Sequence, residues 1–239
     1  MFSYEFQIAL IYNLTIMADK RTALVFGATG LIGNLLVEEL VESEIYQGII
    51  TFVRQATGVT EKKVTELVAD FENIESLSGQ IKGDDLFICL GTTIKKAGSV
   101  TKMEKIDRDL PLKIAYLAKD NGVRRIAVVS SIGASISSRN YYLRIKGEME
   151  KSILDMDFEN KAIVRPSILL GERKEKRAGE VMGKVVMKAF KPVLTGKLKK
   201  YRAIHGSDVA RAMIAILQTE HVKTVYESDE LQSLADNYK

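Results

Sequence analysis

The sequence predicts an α/β domain, a doubly wound parallel sheet with a small, mostly helical C-terminal cap from about residue 167. Three observations lead there. Short runs that are apolar throughout alternate with stretches of helical periodicity, the pattern of strands covered on both faces by helices. Three glycines at equal spacing, Gly27, Gly30 and Gly33, close the first run and open the first helical stretch. Beyond Pro166 the alternation gives way to a Lys-rich, mostly helical remainder.

The elements follow in order. "TALVFG" (22–27) reads as the first strand. Leu35, Leu36, Leu40 and Val41 recur at helical spacing within a helix from Leu31 to Val41. "IITFVR" (49–54), "VTELVAD" (64–70) and "DDLFICLG" (84–91) are the next strands, with an irregular link between the first two of these. A longer helical segment covers about 103–120, where Pro111 marks a kink or interruption. "RIAVVSS" (125–131), a helix near 139–155 and "KAIVRPS" (161–167) complete the order β-α-β-β-β-α-β-α-β. An amphipathic helix near 207–219 follows, which Ser207 or Asp208 could cap. The lone His205 before it reads as structural or solvent-facing.

A chain of 239 residues, 46% hydrophobic and 28% charged, has the size and balance of one large globular domain. No stretch reaches the roughly 18 uninterrupted apolar residues of a membrane span. The longest, Phe6 to Met17, is broken by Gln7, Asn13 and Thr15. It lacks the basic start and cleavage site of a signal peptide. "MADKRTALVFGATG" from Met17 resembles a natural start, so residues 1–16 are expected to be an upstream extension, a start-site artefact. An apolar arm packed on the body is the alternative. Residues 17–239 then form the single domain with its cap.

The single cysteine, Cys89, excludes an intrachain disulfide and fits a reducing compartment. The expected location is cytoplasmic. Inside "LFICLG", Cys89 reads as a small buried hydrophobe. The net charge of +4 is concentrated late, from Arg173, Lys174, Lys176 and Arg177 through Lys197, Lys199, Lys200 and Arg202. No aromatic interleaving or nucleic-acid motif accompanies these cations, so no nucleic acid is expected. A small anionic ligand suits them better, with a solvated face as the alternative.

The glycine turn carries the first functional signal. A dinucleotide pyrophosphate needs a tight turn, close backbone approach and free amides at a helix start. Gly27, Gly30 and Gly33 allow the first two, Thr29 adds a hydroxyl, and Leu31 and Ile32 supply amides. The strand before and the helix after are the context this motif requires. Arg54 ends the second strand, where an acidic residue would suit NAD(H). Its guanidinium can meet a 2′-phosphate with paired hydrogen bonds, favouring NADP(H) over NAD(H). A solvated strand-end arginine is the alternative. Asp70 could touch the adenine side or serve a turn. Leu90 and Gly91 end the fourth strand at the edge where ligands gather.

The second signal is "RNYYLRIKGEMEK" (139–151). Tyr142 and Lys146 stand four apart, one turn apart on one helix face. Tyr141 has Ile145 at that offset, which cannot perturb a phenol electrostatically. An ammonium beside a phenol favours the phenolate and lowers its pKa. That suits Tyr142 as the proton donor to a carbonyl oxygen, with Lys146 as tuning partner and ribose anchor. Upstream, Ser130 and Ser131 end the fifth strand. A hydroxyl there can orient the substrate oxygen, and alternation favours Ser131.

G-x-x-G-x-x-G, S-S-x-G-A and Y-x-x-x-K, in this order, resemble the short-chain dehydrogenase/reductase superfamily. "CLGTT", "KAG", "DRD", "YLRIKGEME" and "VRPSILLGERKEKRAGE" are similar to its atypical branch containing the Tat-interacting protein. The likeness runs from about Arg21 to about Leu217. It implies an NADPH-bound Rossmann fold in which Thr29, Gly30, Leu31, Ile32, Arg54, Leu90, Gly91, Lys146 and Arg177 contact the cofactor and Tyr142 is the active-site tyrosine. The chain departs from the branch in two places: Gln55 stands where the relative has a second arginine, and the serines lie closer to the tyrosine than in ordinary dehydrogenases. Two functions are expected. One is NADP-dependent reduction of a small carbonyl substrate; the alternative is an NADPH-binding regulatory protein acting through a protein partner.

Overall fold

The computed structural model describes residues 20–171, 194–219 and 223–238. Residues 1–16 and Arg177, both singled out above, lie outside these.

Seven strands make one sheet: β1 (Arg21–Phe26), β2 (Tyr46–Val53), β3 (Val64–Val68), β4 (Asp85–Ile88), β5 (Arg125–Val129), β6 (Asn160–Arg165) and β9 (Val225–Glu227). Their order is β3-β2-β1-β4-β5-β6-β9, and every pairing is parallel. Two short strands, β7 (Leu169–Leu170) and β8 (Ile204–His205), pair separately. The helices are α1 (Leu31–Glu42), α2 (Ile94–Ala97), α3 (Val100–Glu104), α4 (Leu110–Asp120), α5 (Tyr141–Asp155), α6 (Gly206–Gln218) and α7 (Ser228–Asn237).

Side chains alternate across β1. Ala23 and Val25 join Leu36, Phe87 and Val164 in the core under α1, α6 and α7. Leu24 and Phe26 join Ile114, Val128 and Met149 under α4 and α5. The Phe26 and Phe52 rings stack at 4.2 Å, tying β1 to β2. Both faces are thus covered, which is why the strands read as continuous apolar runs. β2 and β3 are parallel, yet residues 54–63 link them without a helix.

Three expectations change. The strands end earlier than their apolar runs: β4 stops at Ile88 and β5 at Val129, so "CLG" and "SS" become edge loops. The helix expected over 103–120 is divided into α3, a π turn at Lys105–Asp109, and α4. Pro111 lacks the N–H that would reach the Asp107 carbonyl, so the wider turn falls just before it. Neither Ser207 nor Asp208 caps α6; His205 occupies the cap position, and Asp208 pairs with Arg211 at 2.5 Å. The C-terminal region is helical as expected. It also supplies β9, the edge strand beside β6, and α6 packs against α1.

A charged cluster closes the amino-terminal end of the sheet. Asp85, fully buried, accepts hydrogen bonds from the Tyr46 hydroxyl at 2.5 Å and from Arg125 Nε, and Arg21 approaches at 3.5 Å. Burial pushes both the Asp85 carboxyl and the Tyr46 phenol up from their usual ranges, and the carboxylate raises the phenol further.

Candidate active site

β1 lies between β2 and β4, so chain connections leave it in opposite directions and a crevice opens at the carboxyl ends of β1 and β4. Gly27 follows β1 into that crevice with φ at +87°, a conformation only glycine adopts without strain. Leu90 and Gly91 follow β4 on the other side.

The three glycines divide their duties. A Cβ on Gly27 would stand 2.7 Å from the Cys89 carbonyl, and one on Gly33 only 2.1 Å from the Gly27 oxygen. Both positions are crowded by backbone and hold the turn against β4 and α1. Gly30 is exposed, with its nearest neighbour to a Cβ at 3.3 Å. It sits in the cap position of α1, and no side chain caps that helix. The amides of the first turn are therefore available to an anion. Thr29 is exposed beside them, Leu31 packs against Gly171 and Gly206, and Ile32 is buried. This arrangement fits a pyrophosphate. Arg54 is exposed immediately after β2, as is Gln55. Asp70 serves a turn instead: its carboxylate accepts from the Glu72 amide at 3.0 Å. Cys89 is half-buried rather than fully buried, and desolvation pushes its thiol up to about 12, which disfavours the reactive thiolate.

α5 starts at Tyr141, where Asn140 accepts a hydrogen bond from the Leu143 amide. The two tyrosines are unlike. Tyr141 donates to Glu104 at 3.0 Å, and that bond raises its pKa. Tyr142 is half-buried. Lys146, one turn on, is 2% exposed. Its Nζ lies 3.4 Å from the Val129 carbonyl at the end of β5. It also lies 2.9 Å from Asp107 Oδ1, a contact between charges without the alignment of a hydrogen bond.

Ser131 is half-buried, and among the described residues its hydroxyl reaches only the neighbouring Ile132 carbonyl, at 3.5 Å. Ser130 is 5% exposed; its amide stays in the sheet through Val164, and its hydroxyl has no partner among the described residues.

Sequence reasoning overlooked two residues here. Asp107, at the π turn, accepts from the Thr92 amide at 3.0 Å while facing Lys146. A Cβ on Gly147 would stand 2.3 Å from the Ser135 carbonyl carbon, so this glycine lets the loop after Ser131 lie against α5. A glycine inside a helix, directly after the lysine, was the available signal. Asp107 gave none outside the "DRD" resemblance.

Comparison with known proteins agrees with this geometry. A family model described as NAD(P)H-binding matches residues 27–220. Protein FMP52 of Eremothecium gossypii is 31% identical over 220 residues, covering 89% of this chain and 96% of its own. Protein HTATIP2 of Rattus norvegicus is 34% identical over 182 residues, covering 69% and 75%. Among solved structures, UDP-N-acetylglucosamine 4-epimerase from Methanobrevibacter ruminantium aligns with a TM-score of 0.66 at 15% identity, over 90% of this chain and 81% of that one. MoeE5 in complex with UDP-glucose and NAD aligns at 0.62 and 16%, over 90% and 80%. At such identities these structures establish the fold alone.

One expectation is overturned. The FMP52 proteins of E. gossypii, Candida glabrata, Candida albicans and Saccharomyces cerevisiae are all named mitochondrial, against the cytoplasmic location expected from the sequence. A lone cysteine excludes an intrachain disulfide but does not tell one compartment from another. Among the described residues, no helix is long and apolar enough to cross a membrane. With the glycine turn, the uncapped α1 and relatives that match along most of their length, the chain belongs to the NAD(P)H-binding family, in the atypical short-chain dehydrogenase/reductase branch of HTATIP2 and FMP52.

Proposed function

We propose that the protein is a mitochondrial NADP(H)-dependent oxidoreductase that reduces a small carbonyl compound. One observation carries this reading: half-buried Tyr142 stands one helical turn from a lysine fixed at the carboxyl end of β5, on the sheet edge where the glycine turn opens. The mitochondrial location rests on the printed names of the FMP52 relatives.

Gly30 and the first amides of α1 hold the pyrophosphate, with Thr29 beside them and Leu31 and Ile32 supplying backbone. Gly27 and Gly33 keep that turn tight. Arg54 meets the 2′-phosphate, Leu90 and Gly91 flank the nicotinamide ribose, and Lys146 hydrogen-bonds it. Arg177 is assigned to the same ligand by resemblance alone. When bound, the dinucleotide supplies the hydride that reaches the carbonyl carbon. Tyr142 gives its phenolic proton to the carbonyl oxygen, so the product is an alcohol and the phenolate is reprotonated from solvent. Ser131, whose hydroxyl is weakly held, orients that oxygen.

The test is NADPH oxidation against a panel of aldehydes, ketones and quinones. Tyr142→Phe is expected to slow turnover by about two to four orders of magnitude, leaving NADPH affinity near the wild-type value. Unchanged turnover removes the proton-donor role. Arg54→Ala should weaken NADPH more than NADH if the 2′-phosphate lies there.

One contact favours a second reading. The Asp107 carboxylate offsets the charge of Lys146, which weakens the ammonium's influence on the phenol. A protein that binds NADPH without turning it over, and uses occupancy to set its contacts with a protein partner, would tolerate this. NADPH binding with no oxidation by any panel member selects that reading.

A further inference from the structure

We infer that Glu66 is a positioning residue for the 2′-phosphate of the dinucleotide: by holding Thr57 it fixes the link after β2, so that Arg54 is presented to that phosphate. The inference rests on the NADP(H) reading above and extends it to β3, a strand that carries no motif of the site.

Residues 54–63 join two parallel strands without the helix such a crossover usually contains, so few contacts set their path. The ends of the link are pinned. The Val53 carbonyl accepts the Ala69 amide at 2.7 Å, and Lys63 Nζ donates to the Val41 and Ser43 carbonyls at 2.7 and 2.8 Å. Between them, residues 54–60 are exposed without exception. There Glu66 reaches across from β3. Its Oε1 accepts the Thr57 amide at 2.7 Å and its Oε2 the Thr57 hydroxyl at 2.5 Å. Gly58 turns the chain directly afterwards with φ at +74°. The Thr57 hydroxyl, then the Thr57 amide, and less strongly the Gly58 amide, hold the Glu66 carboxyl below its usual range. Hydrogen bonds to an ionised carboxylate are stronger than neutral ones. Among the described residues, no other side chain of the body hydrogen-bonds to 54–60. Thr57 lies three residues beyond Arg54, so this staple limits where the guanidinium can stand. It also acts on charge. Turned toward Thr57, Glu66 forms no ion pair with Arg54 among the described residues, and the exposed guanidinium is left for an anion. An unheld link would have to be ordered when the ligand binds, at an entropic cost the staple removes in advance.

The test is a mutant cycle read through nucleotide selectivity. Binding of NADPH, NADH, 2′,5′-ADP and 5′-AMP is titrated for wild type, Thr57→Val, Glu66→Ala, Arg54→Ala and the Glu66→Ala/Arg54→Ala double variant. Each of the last two ligands contains only the adenine half, and they differ by the 2′-phosphate. Glu66→Ala and Thr57→Val are expected to weaken NADPH and 2′,5′-ADP by about three- to tenfold. NADH and 5′-AMP should stay within about twofold of wild type. Removing a carboxylate near a phosphate would by Coulomb attraction alone tighten NADPH, so the direction of the Glu66→Ala effect separates positioning from charge. In the Arg54→Ala background, Glu66→Ala should change NADPH affinity less than about twofold, because the group it acts through is gone. Tighter or unchanged NADPH binding in Glu66→Ala overturns the inference. Equal losses for NADPH and NADH overturn it too, as does an undiminished loss in the Arg54→Ala background. Wild type that binds NADH as tightly as NADPH, or binds neither, sinks the NADP(H) reading and the inference with it, a failure visible before any substitution is made.

Discussion

The two ends of the parallel sheet are built on opposite principles. At the amino end, the buried Asp85 carboxylate receives Tyr46, Arg125 and Arg21, so its charge is enclosed and paired, though Arg125 Nη2 has no hydrogen-bond partner among the described residues. At the carboxyl end, α1 lacks a side-chain cap, the Ser130 hydroxyl has no partner among the described residues, and Lys146 meets Asp107 without full alignment. The carboxylate at one end is fully engaged, whereas the helix amides and a buried hydroxyl at the other are not. The same seven strands thus carry a closed, stabilising end and an open end that suits a ligand.

Substitutions can break that contrast, and the largest effect is expected at the closed end. Asp85→Ala strands the Arg125 guanidinium in the core and should lower stability by about 3–5 kcal/mol, read by denaturant unfolding. NADPH affinity of the folded fraction should stay unchanged; a loss of binding would show that the two ends are coupled. At the open end, Gly33→Ala drives a methyl into the Gly27 carbonyl. It should weaken NADPH by about a hundredfold, a little under 3 kcal/mol, in a fluorescence titration.

Tyr46 sharpens the contrast through pH. Its folded pKa is raised by burial and then by Asp85, so from about pH 10 upward the unfolded chain ionises this phenol while the folded chain keeps it protonated. The unfolded state then binds fewer protons, and stability falls with rising pH by up to about 1.4 kcal/mol per unit. Stability is full below pH 10 and is lost as pH climbs toward the folded value. Tyr46→Phe should flatten this alkaline slope in unfolding curves collected between pH 9 and 11, a range set about the ordinary tyrosine value of roughly 10. The smallest effect belongs to Ser130→Ala. Deleting an unpartnered buried hydroxyl should raise stability by up to about 1 kcal/mol, and a fall in stability would reveal a partner.

The open end was the more legible in the sequence. A nucleotide turn and a Tyr-x-x-x-Lys helix are local patterns, and their strand–turn–helix context fixes them within a few residues. The order of elements along the chain up to β6 also follows from apolar runs alternating with helical stretches. The closed end was hidden, because Asp85, Arg125 and Arg21 each open a strand, where a charge reads as solvated. Only the parallel register brings them together. Asp107 was hidden likewise, its partner lying on another helix. β9 is three residues, "VYE", too short for any period to show. Boundaries failed at "CLG" and "SS" because the apolar or hydroxyl-bearing run continues one or two residues past the last inter-strand hydrogen bonds, those of the Cys89 and Ser130 amides.

β9 has a further consequence for how the chain reaches its fold. Strands β1 to β6 leave the ribosome first, with one side of β6 bare. The strand that covers it, and α7 behind it, are made later. Vectorial synthesis therefore presents a nearly finished sheet with an unprotected margin, a template for pairing with another nascent chain. β9 and α7 act as the seal on that margin.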